Sequence, residues 1–163
     1  MLNGVPLTIP EYIVNDWGAI RKAQITDAEY LSTHLRLEDK SEINAASGRT
    51  PEEGINHAVR LKDSWVGVIE NDPYIIWGYL LANDDLATIW CLATDKLLEH
   101  RTAFFRISEA WLASLGQQVG HMNCYSDSRN TEHHRWLRLM GFKRIDKPLF
   151  FYDPNIKFYE YLR

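Results

Sequence analysis

A chain of 163 residues, 45% hydrophobic and 25% charged, has the length and composition of one globular domain and excludes a disordered or fibrous one. Its two cysteines, Cys91 and Cys124, are too few for a disulfide framework and suit a reducing, cytoplasmic compartment; no apolar run approaches the ~20 residues of a membrane span. The net charge of -4 argues against a general nucleic-acid coat, and Met1 to Pro6 lacks the basic and apolar regions of a secretory signal.

Residues 1–18 show no period and are expected to form an N-terminal arm or extra strand before a single domain over 19–163. Ala19 to Gln24 alternates as a strand does. Thr26-Asp27-Ala28-Glu29 has capping-box spacing and predicts a helix to about Asp39, with Ala28, Leu31 and Leu35 inward. Lys40 to Arg49 is small and polar and reads as a loop. Thr50-Pro51-Glu52-Glu53 gives an N-cap, a proline at the first helical position and an acid at the third, opening a helix with Ile55, Ala58 and Val59 inward.

Three strands follow: Trp65–Ile69, Tyr74–Ala82 and Leu86–Ala93. They are divided by the turns Asn71-Asp72-Pro73 and Asn83-Asp84-Asp85, an antiparallel meander. A helix over Thr102–Leu115 carries Phe104, Ile107, Trp111 and Leu115 on one stripe. After the short strand His121–Ser126, Asn130 caps a helix whose inward face is His133, Trp136, Leu137 and Met140, and Gly141 is its left-handed end. Two closing strands are expected over Phe142–Tyr152, interrupted at Pro148, and Lys157–Leu162. A strand, helix, strand crossover inside an otherwise antiparallel order makes one parallel pair. The fold class is mixed α/β or α+β: a seven-stranded mixed sheet with about four helices.

This order, and the run Asn130-Thr-Glu-His-His-Arg-Trp-Leu-Arg-Leu-Met-Gly141-Phe142, resemble the GNAT superfamily of coenzyme A-dependent N-acetyltransferases, in which an Asn, a helix and Gly-Phe recur at this spacing. The run from Ile89 through Phe105 and Trp111 to Arg138 is similar to short GNAT-like proteins of tailed bacteriophages, some labelled internal virion protein A. The resemblance implies a splayed pair of parallel strands, with acetyl-coenzyme A (acetyl-CoA) as cosubstrate and no metal. In it, the backbone of Cys91, Leu92 and Ala93 pairs with the pantetheine amides, and an N–H near Leu92 faces the oxyanion. Asn130 adds a contact, and phosphate falls to Lys96, His100, Arg101 and Thr102.

Two departures stand out. The family's pyrophosphate loop, Q/R-x-x-G-x-G/A, maps onto Lys96-Leu97-Leu98-Glu99-His100-Arg101, which keeps only the basic first position. The tyrosine that often protonates the leaving thiolate maps onto Leu137, so the acid must come from Tyr125, Ser126 or water. A base working through water could be Glu70, Asp84 or Asp85.

The function implied is an acetyl-CoA-dependent N-acyltransferase, phage-encoded, acting on an amine of a host protein or small molecule in the host cytoplasm. The alternative is a GNAT-like binding module without catalysis, a virion component or an inhibitor of a host protein. The partner expected is a host protein; membrane and nucleic acid are not. Other residues have blander readings. His121, Cys124, His133 and His134 lack metal-binding spacing, which leaves His133 as a core or cofactor-facing residue. Cys124, Asp127 and His133 carry no nucleophile signature. Arg129, Arg135, Arg138, Lys143 and Arg144 form a basic face, solvated or phosphate-binding, and Trp77 and Trp90 read as core.

Overall fold

The computed structural model describes residues 18–163, so the expected arm lies outside the described residues apart from Gly18. The chain runs β1 (Ala19–Lys22), α1 (Asp27–His34), α2 (Leu37–Ser47), α3 (Pro51–Ala58), β2 (Ser64–Ile69), β3 (Asp72–Leu81) and β4 (Leu86–Ala93). It continues through α4 (Lys96–Glu99), α5 (Arg101–Leu115), β5 (His121–Asp127), α6 (Thr131–Leu139), β6 (Lys143–Arg144) and β7 (Phe158–Leu162). The strands make one seven-stranded sheet, ordered β1-β2-β3-β4-β5-β7-β6. Among the described residues only β4 and β5 are parallel, and their pairing covers Leu86–Thr88 against His121–Asn123 before the strands part.

Both faces of the sheet are covered. Ile75, Trp77, Tyr79, Ala87 and Ala93 pack with Phe104, Trp111, Leu112 and Leu115 of α5 and with Trp136 and Leu137 of α6. Val66 and Ile76 face the other way, into Leu31 of α1, Ile43 of α2 and Ile55 of α3. This is why β3 reads as a nearly unbroken apolar run rather than an alternating one.

The local signals place most ends. Thr50 Oγ1 accepts from Glu53 N–H, and the Glu53 carboxylate accepts from Thr50 N–H at 2.8 Å, so the second capping box is complete. Glu70 and Asn71 both adopt positive φ, 52° and 70°, as a two-residue hairpin turn requires, and Pro73 moves into β3. At the end of α6, Gly141 N–H reaches Arg138 O at 3.1 Å and Phe142 N–H reaches Leu137 O at 2.9 Å. Gly141 itself sits at φ 83°. That is a complete Schellman end. Gly141→Val should cost about 1 kcal/mol or more through backbone strain, because a side chain there would meet only Arg163, at 3.9 Å. Thermal melting checks it; an unchanged melting temperature would refute the backbone requirement.

Five expectations are corrected. The helix from Thr26 stops at His34 instead of Asp39, and most of the expected loop over 40–49 is α2. Leu35 bridges to Thr94 in antiparallel fashion and Arg36 N–H donates to Ala93 O at 2.9 Å, so the end of β4 pulls these two residues out of the helix. Thr26 takes helical dihedrals and does not cap; the Asp27 carboxylate accepts from Gln24 N–H at 2.8 Å and pairs with Arg21 instead. Finally, the strand expected over Phe142–Tyr152 is only β6 plus a bridge from Leu149 to Phe158, and the described residues form six helices rather than about four.

Candidate active site

Strand alternation fixes which backbone groups face the gap between β4 and β5. Thr94 N–H donates to Tyr74 O at 2.9 Å, so even-numbered residues of β4, Leu92 included, turn their amides toward β3. Odd-numbered residues turn theirs toward β5. The expected pairing edge therefore narrows to Cys91, because α2 already holds Ala93. The Asp39 carboxylate accepts from Ala93 N–H at 2.8 Å, while Ala93 O accepts from Arg36 N–H.

The helix α2 thus stands at the wide end of the splay and turns two acids inward. Asn130, 1% exposed, joins them: its amide donates to Asp39 Oδ1 at 3.2 Å and to Glu42 Oε2 at 3.0 Å. Its side-chain oxygen accepts from His133 N–H at 3.4 Å as the cap of α6. Asn130 therefore spends its amide on α2 and α6. Burial pushes the Asp39 carboxyl up to about 6, against the pull of Arg36 and of the Ala93 amide. Burial pushes Glu42 further, to about 8; the Asn130 hydrogen bond opposes the shift and the neighbouring Asp39 charge adds to it.

His133 is the next member. Its Nδ1 lies 3.0 Å from Ser126 Oγ and 4.0 Å from Glu42 Oε1, and its Nε2 lies 3.8 Å from Cys124 Sγ. Burial, helped by His134 and Arg36, lowers its pKa to about 4, so the ring is neutral near pH 7. Burial also raises the Cys124 thiol, and Asp127 is tied to Arg129, which removes the nucleophilic cysteine reading. No cluster of three or more metal-ligating side chains occurs among the described residues.

Of these groups Asp39, Cys124 and His133 border a cavity of about 60 Å³ between β4, β5, α5 and α6. Its lining includes Arg36, Asp39, Cys91, Cys124 and His133 over a largely aromatic floor of Trp77, Phe104, Trp111 and Trp136. Among the described residues, four buried side-chain donors lack a partner: Arg36 Nε and the indole N–H groups of Trp90, Trp111 and Trp136. All four residues line this cavity. A buried donor left unmet costs about 1–3 kcal/mol. Such a concentration suits a ligand that brings carbonyl or thioester oxygens.

The remaining site candidates disperse. Lys96 pairs with Asp72 at 2.8 Å, and the stretch around it is the helical turn α4. There Leu97, Leu98 and His100 give their N–H groups to Thr94, Asp95 and Leu97 carbonyls, so these three amides are spent inside the turn. His100 stands at the N-cap of α5, its backbone carbonyl accepting from Phe104 N–H at 3.1 Å. Arg101 and Thr102, with Glu132, Arg135 and Trp136, line an open groove of about 360 Å³ between α5 and α6. Ser126 is fully buried against His133. Tyr125 points to the opposite face of β5, where its hydroxyl accepts from Asn123 at 3.1 Å and its ring meets Phe151. Glu70 stands in the β2–β3 turn, and Asp85 holds Gly120 N–H at the closed end of the parallel pair.

A seven-stranded sheet with one parallel pair that splays, flanked by helices on both faces, is the GNAT fold. Solved structures agree. A GNAT-family acetyltransferase from Bacillus anthracis superposes with a TM-score of 0.69 at 14% identity, covering 91% of this chain and 95% of that one. Ard1 from Thermoplasma volcanium gives 0.66 at 16% identity, covering 90% and 96%. RimL, a ribosomal alpha-N-protein acetyltransferase in complex with coenzyme A, gives 0.67 at 11% identity, covering 94% and 97%. No family model and no curated protein matches the chain in sequence.

Sequence reasoning missed Asp39, Glu42 and Arg36. The available signal was two acids three residues apart ahead of Ile43, which share one face if the polar run is helical.

Proposed function

We propose that the protein is an N-acyltransferase that moves an acetyl group from acetyl-CoA to an amine. The observation that carries this reading is the cavity at the splay, with its four unpartnered donors and its buried carboxylate. Cys91 offers one amide and one carbonyl to a pantetheine arm, which would pair there as a short added strand. Arg101 and Arg135 on the neighbouring groove supply charge for phosphate by side chain rather than by backbone. Asp39, ionised at neutral pH and lining the cavity, is placed to take the proton that the attacking nitrogen releases. A tailed-phage source with a host protein as acceptor belongs to this proposal and rests on the Ile89–Arg138 resemblance.

A binding module without catalysis is the second reading. It is favoured by α2 holding both backbone groups of Ala93 and by the internally bonded amides of α4. Titration calorimetry with acetyl-CoA separates the two. The acyltransferase reading expects binding that weakens about tenfold or more in Arg101→Ala, as loss of a charge-assisted contact does. That contribution should shrink as salt rises. No heat at millimolar ligand would leave only the binding module.

A further inference from the structure

A thioester cannot release its sulfur without a proton, and the cavity limits what can give one. Its titratable lining residues are Arg36, Asp39, Cys91, Cys124 and His133. Arg36 does not give up its proton in the accessible pH range. Burial makes the two thiols hold theirs more firmly, and Asp39 is placed to accept one. One turn along α6, Leu137 has no proton to give.

Resting on the acyltransferase reading, we propose that His133 is the proton donor to the departing sulfur, with Ser126 and Glu42 as the positioning residues that set its tautomer and refill it. The hydrogen bonds already select the tautomer. Cys124 gives its S–H to Tyr125 O at 3.7 Å, which leaves the Cys124 sulfur as an acceptor toward His133 Nε2. The fully buried Ser126 hydroxyl lies 3.0 Å from Nδ1, and we assign it as the donor there, which satisfies its hydrogen. Nε2 therefore carries the hydrogen, and a thiol at 3.8 Å is a weak partner that a thiolate would displace.

The atoms balance. The amine nitrogen forms its bond to the acyl carbon, and the tetrahedral intermediate then breaks its C–S bond with the electron pair going to sulfur. The Nε2 hydrogen moves to that sulfur while the Ser126 hydroxyl rotates off the Nδ1 lone pair and Nδ1 takes the carboxyl proton of Glu42. Oε1 starts 4.0 Å from Nδ1, so it must close by about 1 Å to reach hydrogen-bond distance. Asp39 meanwhile receives the proton lost by nitrogen. One carboxyl gains a proton and the other loses one, and both contact the same Asn130 amide. A neutral imidazole is a poor acid alone, and Glu42, which keeps its proton at neutral pH, is what makes the transfer feasible.

The test uses CoA and desulfo-CoA, which lacks the thiol, on full-length protein labelled at histidine nitrogen. CoA should shift the His133 Nε2 resonance and bind about fivefold more tightly than desulfo-CoA, the worth of one hydrogen bond. His133→Gln should erase that preference while still binding both ligands. Two outcomes overturn the proposal: both ligands bind and leave Nε2 unmoved, or His133→Gln keeps the preference for CoA. If neither ligand binds, the acyltransferase reading itself fails, and this inference falls with it. The resonance measurement needs no variant, so a misfolded substitution cannot obscure the answer.

Discussion

At pH 8 the Glu42→Gln protein should be more stable than the wild type, by about 1–3 kcal/mol, and the advantage should shrink toward pH 6.5. Burial raises the Glu42 carboxyl to about 8, so the folded chain binds a proton there that the unfolded chain has released. A group raised in the folded state contributes its stability below the unfolded pKa and loses it as pH climbs through the folded one. Glu42 therefore weakens the fold between about pH 4.5 and 8, and Asp39, raised to about 6, does so between about 3.8 and 6. His133 has the opposite sign. Its folded pKa is lowered to about 4, so its contribution is lost as pH falls below 6.5. Between pH 6.5 and 8, Glu42 therefore dominates among these three groups. The expected gain is kept below the full conversion of ~1.36 kcal/mol per unit because Asp39 and Glu42 titrate as a pair through Asn130. Thermal melts of both proteins across that window check it. A wild-type melting temperature that is flat or rising from pH 6.5 to 8 would refute the buried protonated carboxyl.

What could be read from the sequence was what is local. The capping box at Thr50, the β2–β3–β4 meander and the Asn130–Phe142 unit each depend on residues within one helix or hairpin, so their spacing announces them. The parallel pair followed from element order, because a strand, helix, strand crossover makes a parallel neighbour, whereas its splay was implied only by the resemblance to the GNAT superfamily. Helix α2 failed that test for a physical reason. Its buried residues are Asp39, Ile43 and Ala45, so an acid occupies a position where an apolar residue would have marked the inward face. The site failed it through distance along the chain: Asn130 reaches Asp39 and Glu42 across 91 and 88 residues. The same long contact explains why Asn130, expected as a ligand contact, has its amide occupied. Lys96 illustrates the converse, since a basic residue at the right motif position is drawn off by Asp72, a neighbour in space that no local pattern reveals.

Asn130→Ala should be the most damaging single substitution among the residues of the site, costing about 3 kcal/mol, or about 10 °C in melting temperature for a chain of this size. Two losses combine. The cap of α6 goes, which is worth about 1 kcal/mol, and two buried carboxyl groups lose their shared donor, each such bond being worth about 1.5–3 kcal/mol before relaxation when the acceptor is charged. The acids have a way to reduce the second loss: without the amide between them, one takes up a proton and stays neutral. The penalty should therefore grow with pH, smallest near 5 and largest near 8. A double-mutant comparison isolates this. In a Glu42→Gln background the pH-dependent part of the Asn130→Ala cost should shrink to the share carried by Asp39, while the capping part of about 1 kcal/mol remains. Melting curves of the four proteins at pH 5 and pH 8 supply the numbers. Two results would show that Asn130 acts as a helix cap alone and that the two acids are not held through it. One is an Asn130→Ala cost that is the same at both pH values; the other is a pH dependence of that cost that survives undiminished in the Glu42→Gln background.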